Sequence, residues 1–350
     1  AKYPELAADL TRRMNRDLPE DFEATCKALF ADLNDKKQDL ATRKANVAVL
    51  EGLAPGLPEL LGGSADLTGS NGCWWSGSKS YDRDNTDGNY LHYGVREFGM
   101  SAFMNGMVLH GGLLPYSGTF LVFSDYLRNA FRMAALMQLR AIWILTHDSI
   151  GVGEDGPTHQ PVEHATAMRC IPNAYFFRPC DVVETAASWK IALEAKSTPS
   201  AMSLTRQGLP FFERDAAAMA DVAKGGYILR DCEGEPEVII IGTGSETKLA
   251  VAAAEELAAK GTKARVVSMY CCEVFDEQDQ AYKDKVLPPQ VTARVAVESG
   301  TPDFWYKYVG LGGRIVGMTT FGASAPGGQL FEHFGFTTEA VVAEAQEAMA

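Results

Sequence analysis

The fold is decided by residues 141–161, Ala141-Ile142-Trp143-Ile144-Leu145-Thr146-His147-Asp148-Ser149-Ile150-Gly151-Val152-Gly153-Glu154-Asp155-Gly156-Pro157-Thr158-His159-Gln160-Pro161. The first five residues are apolar, which is typical of a strand buried on both faces in a parallel sheet, and a helical pattern begins at Pro161. The loop between them therefore leaves the carboxyl end of a strand, where open α/β sheets bind ligands. Because it also contains imidazoles and carboxylates, we expect an active-site loop rather than a solvated surface turn.

Composition limits the classes of protein to which this chain can belong. A length of 350 residues predicts two domains, and 46% apolar with 22% charged residues is typical of a soluble globular protein. The formal net charge of −13 argues against nucleic acid and against acidic membrane surfaces as partners. No apolar run reaches membrane-spanning length. The seven scattered cysteines include no Cys-x-x-Cys pair, which indicates a reducing compartment, and we expect packed thiols at Cys271 and Cys272.

The order of predicted elements indicates an α/β fold with two domains. Residues 1–36 are polar and are expected to form a linker arm from an upstream segment, and the start at Ala1 suggests a processed or truncated product. Alternating strands and helices predict parallel βαβ units, so each domain should be a mostly parallel sheet flanked by helices. The boundary is expected near residue 220. The predicted strands are 60–63, 141–146, 174–177, 201–204, 238–241, 264–269, 295–297 and 315–318, and the main helices are 42–54, 103–109, 120–139, 162–169, 181–195 and 245–260. Thr42 is a candidate cap of the first of these helices, and Asp181 with Glu184 resembles a capping box at the start of the helix 181–195.

Two further segments are candidates for a ring-binding site, and each also has a simpler structural interpretation. Glu97 precedes a predicted helix, and a lone glutamate there usually just complements the helix dipole. Phe120, Phe123 and Tyr126 are spaced by three, which predicts one face of a helix start. Such an aromatic stripe is more often core than a platform for a ligand ring, so neighbouring motifs must decide.

Six motifs in this order resemble the thiamine diphosphate-dependent transketolases, in particular the bacterial and plant-type enzymes. The resemblance covers essentially the whole chain. It implies a pyrimidine-binding domain at 37–219, a transketolase carboxyl-terminal domain at 220–350, and reversible two-carbon ketol transfer from a ketose phosphate to an aldose phosphate, in the pentose phosphate pathway or the Calvin cycle. The motifs are Thr42-Arg43-Lys44, Gly62-Gly63-Ser64-Ala65-Asp66-Leu67-Thr68, Gly94-Val95-Arg96-Glu97-Phe98-Gly99-Met100, Gly118-Thr119-Phe120-Leu121-Val122-Phe123, the loop 146–161 and Thr205-Arg206-Gln207.

The resemblance implies a role for each candidate site residue. Glu97 matches the glutamate that hydrogen-bonds the aminopyrimidine ring and promotes deprotonation of the cofactor, and the catalytic pair is expected to be Glu97 and His159. The aromatic pocket around the pyrimidine is matched by Phe120, Phe123 and Tyr126. Asp66 is expected to position neighbours at the domain edge. Residues that match the substrate-binding group are Arg43, Ser70, His147, Asp155, His159 and Arg206, the arginines for phosphate and Asp155 for a sugar hydroxyl.

The resemblance also implies ligands that are absent from this sequence. Transketolases bind the diphosphate and its Mg²⁺ or Ca²⁺ through an amino-terminal domain with a Gly-Asp-Gly motif, whereas Asp87-Gly88 and Asp155-Gly156 have the wrong context. We therefore expect no metal ligand on this chain, and an amino-terminal diphosphate-binding domain as its partner. A homodimer, no activity of the chain alone, and a location in the chloroplast stroma or cytoplasm are expected as well.

Other functions stay open at this point. A β-type subunit of a 2-oxo acid dehydrogenase and a deoxyxylulose phosphate synthase are disfavoured by the segments 62–68 and 96–100. A non-catalytic sugar-phosphate-binding or assembly module is an alternative from another class. Two glycine-rich segments are expected to be structural, with 241–247 a strand-to-helix turn rather than a dinucleotide loop, and 321–328 a surface turn rather than an anion-binding loop.

Overall fold

The computed structural model describes residues 2–350, and an arm of two helices precedes its first sheet. All neighbouring strands of this six-stranded sheet pair in parallel, in the order β2-β1-β3-β4-β6-β5. The strands are β1 Leu60–Ser64, β2 Tyr90–His92, β3 Leu114–Phe120, β4 Ile142–Thr146, β5 Tyr175–Phe177 and β6 Ser200–Leu204. The helices are α1 Pro4–Met14, α2 Phe22–Lys36, α3 Thr42–Leu53, α4 Thr68–Asn71, α5 Glu97–His110, α6 Ser124–Leu136, α7 His164–Arg169 and α8 Val182–Glu194.

A second, five-stranded sheet has the order β11-β10-β8-β9-β7. Its strands pair in parallel, except that β7 runs antiparallel to β9. The two mostly parallel sheets with flanking helices confirm the predicted fold class. The strands are β7 Gly226–Arg230, β8 Val238–Gly242, β9 Ala264–Met269, β10 Arg294–Val297 and β11 Arg314–Val316. The helices are α9 Ala216–Asp221, α10 Thr247–Ala259, α11 Cys272–Asp276, α12 Gln280–Val286, α13 Tyr306–Val309, α14 Gly327–His333 and α15 Thr338–Met349.

The strand that opens the decisive stretch lies inside the first sheet. Every residue of β4 is buried, because β3 and β6 flank it and helices cover both faces. Trp143 packs edge-on against Phe131 of α6, and its ring N–H donates to Ser101 of α5 over 2.8 Å. A buried indole N–H needs such a partner, so this contact fixes both helices on one face of the sheet.

The cap predicted for α8 is confirmed, with one difference in its partner. The Asp181 carboxylate accepts hydrogen bonds from the N–H groups of Val183 and Glu184, as an N-cap residue should. The Glu184 carboxylate accepts from the N–H of Cys180 instead of that of Asp181, so the capping box is shifted by one residue.

The predicted helix 120–139 is wrong at its start. Phe120 ends β3, a 3₁₀ turn covers Leu121–Phe123, and α6 begins at Ser124. The segment of β3 contains proline, glycine and hydroxyl residues, so its sequence lacks a strand pattern, and the hydrogen-bond ladders to β1 and β4 make it a strand. The short β2 and the antiparallel β7 were missed for the same reason, since both depend on pairing with distant strands.

Thr42 is not the cap of α3, although the helix lies where it was predicted. Ala41 occupies the N-cap position, and no side chain caps this helix. The Thr42 hydroxyl accepts from the N–H of Thr205 over 2.7 Å, and the Thr42 N–H donates to the Thr205 hydroxyl. These bonds fasten the start of α3 to the chain just after β6.

The arm packs against the first sheet's helices and edges. Arg12 of α1 makes a bidentate pair with the buried carboxylate of Glu59, at 2.7 and 3.0 Å. The α2 helix lies against α3 and α8. Within residues 2–350, no helix combines the length and apolar character that crossing a bilayer requires.

Candidate active site

The predicted site residues of the first sheet converge at its carboxyl edge. Strands β1, β3, β4 and β6 run parallel, so the segments that follow them open onto the same side. Phe120 lies at the end of β3, His147 directly follows β4, and Arg206 comes two residues after β6. The loop 146–161 therefore leaves the carboxyl end of a strand, as its sequence predicts.

His147 lies at the centre of this edge. Its backbone is left-handed (φ 61°), and its ring is buried and stacks on Phe120 with centroids 3.7 Å apart. Its Nδ1 lies 2.8 Å from the Thr146 hydroxyl. Burial lowers the pKa of His147 to about 3, and the nearby positive charges of Arg43, Arg206 and His159 add to this shift. The ring is therefore neutral near pH 7, and the predicted site residues Arg43, Arg206 and His159 lie around it.

The aromatic residues form one wall, although three different elements supply them. Phe120 and Phe123 stack in parallel with centroids 5.7 Å apart, and His159 meets the Phe123 ring edge-on at 5.6 Å. Tyr126 comes from the first turn of α6, so the expectation of a single helical face was wrong. These rings border a cavity of about 510 Å³. Its lining is Ala65, Asp66, Leu67, Val95, Glu97, Phe120, Phe123, Tyr126 and His159.

Glu97 brings a carboxylate into this cavity. It is the first residue of α5 and is 9% exposed. The N-terminus of a helix favours acidic side chains, and Glu97 lies in the first turn of α5. Phe120, Phe123 and Tyr126 share this lining, and a hydrogen bond is stronger in an apolar setting than in water.

Two arginines lie near His147, and the guanidinium of each donates to a backbone carbonyl oxygen. Arg43 donates to the carbonyl oxygen of Ser70 over 3.0 Å, and Arg206 donates to that of Val152 over 3.1 Å. Burial lowers the pKa of Arg43, and the like charge of Arg206 lowers it further. Among the residues that the structure describes, no carboxylate lies within ion-pair distance of either guanidinium. Neighbouring guanidiniums with carbonyl partners alone are suited to bind an anion.

The remaining predicted residues lie at the margin of the site. Asp155 is exposed near the tip of the loop 146–161. Asp66 is also exposed, has a left-handed backbone (φ 64°) and contributes to the cavity lining. Ser70 belongs to α4 and contributes its carbonyl oxygen to Arg43.

A buried polar chain behind His147 was not found from the sequence. The Thr146 hydroxyl donates to the Asn71 side-chain oxygen over 2.9 Å, and the Asn71 amide donates to Ser64 over 3.2 Å. Ser64 and Thr146 end β1 and β4, so polar residues at two strand ends were the available signal. Asn71 gave none, because only the fold brings it to Thr146.

The second sheet's unit also contacts the loop. The Gln160 side-chain amide donates to the carbonyl oxygens of Gly153 and Ala323, at 2.8 and 2.9 Å. The Ser324 hydroxyl donates to the carbonyl oxygen of Glu154. The segment 321–328 is partly exposed as expected, and it also supports the site loop.

One group of possible metal ligands lies beside the cavity wall. Asp125, Glu163 and His164 each offer a ligand atom within 4.8 Å of the others. The His164 Nε2 is 3.3 Å from the Asp125 carboxylate, and both carboxylates are solvent-exposed.

Comparison with known proteins places these features in a family. The model of the transketolase pyrimidine-binding domain matches residues 38–211, and that of the transketolase-like C-terminal domain matches 225–337. Transketolase 2 of Aliivibrio fischeri is 57% identical over 350 residues, which is 100% of this chain and 53% of that protein. The chain belongs to the transketolase family, and it spans about half the length of the curated relatives that it matches.

Solved structures give the same result. A transketolase from Leishmania mexicana superposes with a TM-score of 0.91 at 40% identity, covering 99% of this chain and 50% of that one. A transketolase from Pichia stipitis in complex with sedoheptulose-7-phosphate superposes with a TM-score of 0.89 at 39% identity, covering 99% of this chain and 51% of that one.

Proposed function

We propose that this chain supplies the pyrimidine-side and substrate-side half of a transketolase active site. The reaction would be the reversible transfer of a two-carbon ketol unit from a ketose phosphate to an aldose phosphate. The proposal rests on one observation, that an apolar cavity with a carboxylate lies next to a cluster of positively charged side chains. A buried carboxylate, Glu97, lies in an aromatic cavity, and the guanidiniums of Arg43 and Arg206, which have only carbonyl partners among residues 2–350, lie around the adjacent His147.

The cavity suits the aminopyrimidine ring of thiamine diphosphate. Parallel aromatic rings offer flat apolar area, and Glu97 is a hydrogen-bond acceptor among otherwise mostly apolar groups. Thiamine diphosphate, when bound, stabilises negative charge on a carbonyl carbon. The residues Phe120, Phe123 and Tyr126 would hold the ring and exclude water. Glu97 would hold a proton at a ring nitrogen, and proton transfer at the substrate oxygen would fall to His159.

The substrate would lie between His147 and the two arginines. Arg43 and Arg206 would bind the sugar phosphate with charge-assisted hydrogen bonds. The neutral His147 would donate or accept a hydrogen bond without competing for the anion's charge. Asp155 would accept hydrogen bonds from sugar hydroxyls at the loop tip, and Ser70 would add a donor beside Arg43. The sugar phosphate bound to the Pichia stipitis relative supports this class of substrate.

The diphosphate and its divalent metal, Mg²⁺ or Ca²⁺, would be bound by a separate diphosphate-binding domain, which we propose as the partner of this chain. The relatives are about twice as long, which supports such a complement.

A homodimer is supported by exposed apolar residues on and beside α5, among them Phe98, Phe103, Leu109 and Leu113. The curated relative from Aliivibrio fischeri favours the cytoplasm over a chloroplast. We also propose a boundary at residue 220, inside α9, with domains 37–219 and 220–350 after the arm 1–36.

Complementation tests this function. The chain is mixed with a recombinant diphosphate-binding domain from a close relative, thiamine diphosphate and Mg²⁺, and two-carbon transfer from a ketose phosphate is measured. We expect transfer by the mixture and none by either part alone. Pyruvate, a 2-oxo acid that lacks the hydroxyl group of a transferable ketol unit, serves as a second substrate. Turnover of the 2-oxo acid in place of the ketose phosphate would favour the dehydrogenase subunit.

The non-catalytic alternative predicts a different outcome of the same experiment. A sugar-phosphate-binding or assembly module would bind the domain and the sugar phosphate but transfer nothing. Gel filtration of the mixture separates this outcome from a failure of the two parts to associate. A stable complex that binds sugar phosphate and is inactive would contradict the proposed function.

A further inference from the structure

Arg178 connects the units of the two sheets next to the loop 146–161. It follows β5, and its side chain is 1% exposed. Its backbone N–H donates to the carbonyl oxygen of Tyr270 over 2.7 Å, and its carbonyl oxygen accepts from Gly244 over 2.9 Å. Both partners belong to the second unit. The residue is therefore held by that unit through its backbone as well as through its side chain.

The side chain of Arg178 connects acidic residues of both units. Its Nε and Nη2 lie 3.1 and 2.9 Å from the carboxylate of Asp148, in the site loop. Its Nη1 pairs with Glu246, just after β8, and lies 3.5 Å from Glu298, just after β10. The second unit thus supplies two carboxylates that hold the guanidinium, and the site loop supplies the third.

The charges in this cluster are buried and nearly balanced. Arg169 makes a bidentate pair with Glu298 at 2.7 and 2.9 Å, so two guanidiniums serve three carboxylates. Burial opposes the charged form of Arg178, but Glu246, Asp148 and Glu298 raise its pKa. Burial raises the pKa of Asp148, and the attraction of Arg178 opposes this rise. A buried charge must keep its partner, so Asp148 is strongly held in place.

The backbone of the second unit leaves room for the Arg178 side chain at Gly244. Gly244 has a left-handed backbone (φ 54°), and a β-carbon there would lie 2.8 Å from Cγ of Arg178. Only glycine therefore allows the arginine to pass between β8 and the helix that follows it. The contact with Arg178 explains Gly244 in segment 241–247 without a bound dinucleotide.

The cluster acts on His147 through the peptide bond. Asp148 directly follows His147, which has the unfavourable left-handed backbone and stacks on Phe120. The residue before it, Thr146, is tied to Asn71. His147 is thus fixed from both sides, by a polar chain within the first unit and by an ion cluster that belongs mostly to the second. A strained residue persists only where its surroundings determine its conformation.

We propose that Arg178 is a positioning residue. Through Arg178, the carboxylates of Glu246 and Glu298 in the second unit fix Asp148. Asp148 in turn holds His147 on Phe120 at the carboxyl edge of the first sheet, where the substrate would bind. The second unit thereby contributes to substrate binding without touching the substrate. The role of His147 in binding the sugar phosphate rests on the proposed function, whereas the mechanical link does not.

The test uses Asp148→Asn, which keeps the size of the side chain and removes its charge. The matched control is Glu184→Gln, in a second buried cluster between the same two units. Glu184 accepts from Tyr227 and Ser268 at 2.8 and 2.6 Å and lies 3.6 Å from Arg214, so its partners lie outside the loop 146–161. Both variants lose one charge from a buried interface, but only the first lies beside His147.

The readout is the NMR signal of His147 in the 350-residue chain, with histidine labelled at the ring carbons and assigned through His147→Gln. Stacking on Phe120 shifts this signal by the ring current. We expect Asp148→Asn to move or broaden it and Glu184→Gln to leave it unchanged. An unchanged signal in Asp148→Asn, or equal changes in both variants, would overturn the proposal.

A second variant covers the case in which Asp148→Asn does not fold. Glu246→Gln weakens the hold on Arg178 from the second unit and leaves the loop sequence intact. It should shift the His147 signal in the same direction by a smaller amount. A folded Glu246→Gln with an unaltered His147 signal would show that the second unit does not position this residue.

Kinetics of the complemented enzyme separate positioning from general destabilisation. Loss of one hydrogen bond from His147 should raise KM for the sugar phosphate about tenfold in Asp148→Asn, with a smaller change in kcat. An unchanged KM in a variant whose His147 signal has moved would overturn the link to substrate. No transfer by the parent chain mixed with the diphosphate-binding domain would instead contradict the proposed function, and the NMR result would still decide the link.

Discussion

The two sheets present equivalent edges that are used in different ways. In the first sheet the carboxyl ends of the strands open onto a cavity of about 510 Å³ bordered by Phe120, Phe123 and His159. In the second sheet the residues after β8 and β10 are buried, and Arg178 from the first unit occupies the space between them. The topological rule that ligands bind at this edge therefore holds only where no neighbouring unit covers it.

The carboxyl edge of the first sheet (the open edge) and that of the second sheet (the closed edge) differ in whether their arginines are paired with carboxylates. Arg43 and Arg206 at the open edge have only carbonyl partners in the described part of the chain. Arg169 and Arg178 at the closed edge have carboxylates. Cations left without an anion indicate a binding site, whereas buried and paired cations indicate structure.

The largest effect is expected at the open edge, from Glu97→Ala in the complemented enzyme. Positioned acid–base groups contribute about 10²–10⁴-fold in rate, so deuterium exchange at the thiazolium carbon of the cofactor should slow by that factor. The control Glu339→Ala removes an exposed carboxylate from the first turn of α15 and should have no effect. An unchanged exchange rate in Glu97→Ala would show that Glu97 interacts only with the helix dipole and does not take part in deprotonation of the cofactor.

At the closed edge, Glu298→Gln should mainly cost stability. Removing one partner of a buried ion pair leaves an uncompensated charge and costs about 3–5 kcal/mol of the free energy of unfolding. Glu256→Gln, in an exposed pair with Lys260, should cost under ~1 kcal/mol. Urea unfolding of both variants measures the difference. Equal losses would show that the buried ion pairs of Glu298 stabilise the fold no more than the exposed pair of Glu256 does.

Arg206→Ala should affect one class of substrate more than the other. A charge-assisted hydrogen bond contributes about 1.5–3 kcal/mol, so kcat/KM for phosphorylated sugars should fall roughly 10–150-fold. Hydroxypyruvate with an unphosphorylated acceptor should lose far less. If both classes fall equally and the melting temperature drops, Arg206 is structural, and the proposed phosphate site is wrong.

The smallest effect concerns pH. Burial lowers the pKa of His147 from 6.5 to about 3, so its contribution to stability is fully present above pH 6.5 and is lost as the pH falls towards 3. Between pH 8 and 6 the loss should be under ~1 kcal/mol. His147→Gln should remove this part of the pH dependence in urea unfolding, and an identical slope in the variant would show that the pKa of His147 is the same in the folded and the unfolded chain.

The sequence predicted what is local and missed what depends on distant contacts. The strand at 142–146, the loop after it and the cap at Asp181 were found because a short apolar run and a cap carry their own signal. The strand that ends at Phe120 was missed because its pairing with β1 and β4 decides it. Asn71 and Arg178 reach the site only in the folded chain, so no spacing indicated them.

Calorimetric titration of the chain with thiamine diphosphate and Mg²⁺ tests most directly whether the open edge is half of an active site. We expect binding weaker than micromolar by the chain alone, because the aromatic cavity around Glu97 cannot replace the charge interactions of the diphosphate, and tight binding once a diphosphate-binding domain is added. Micromolar or tighter binding by the isolated 350-residue chain would contradict this division of the site.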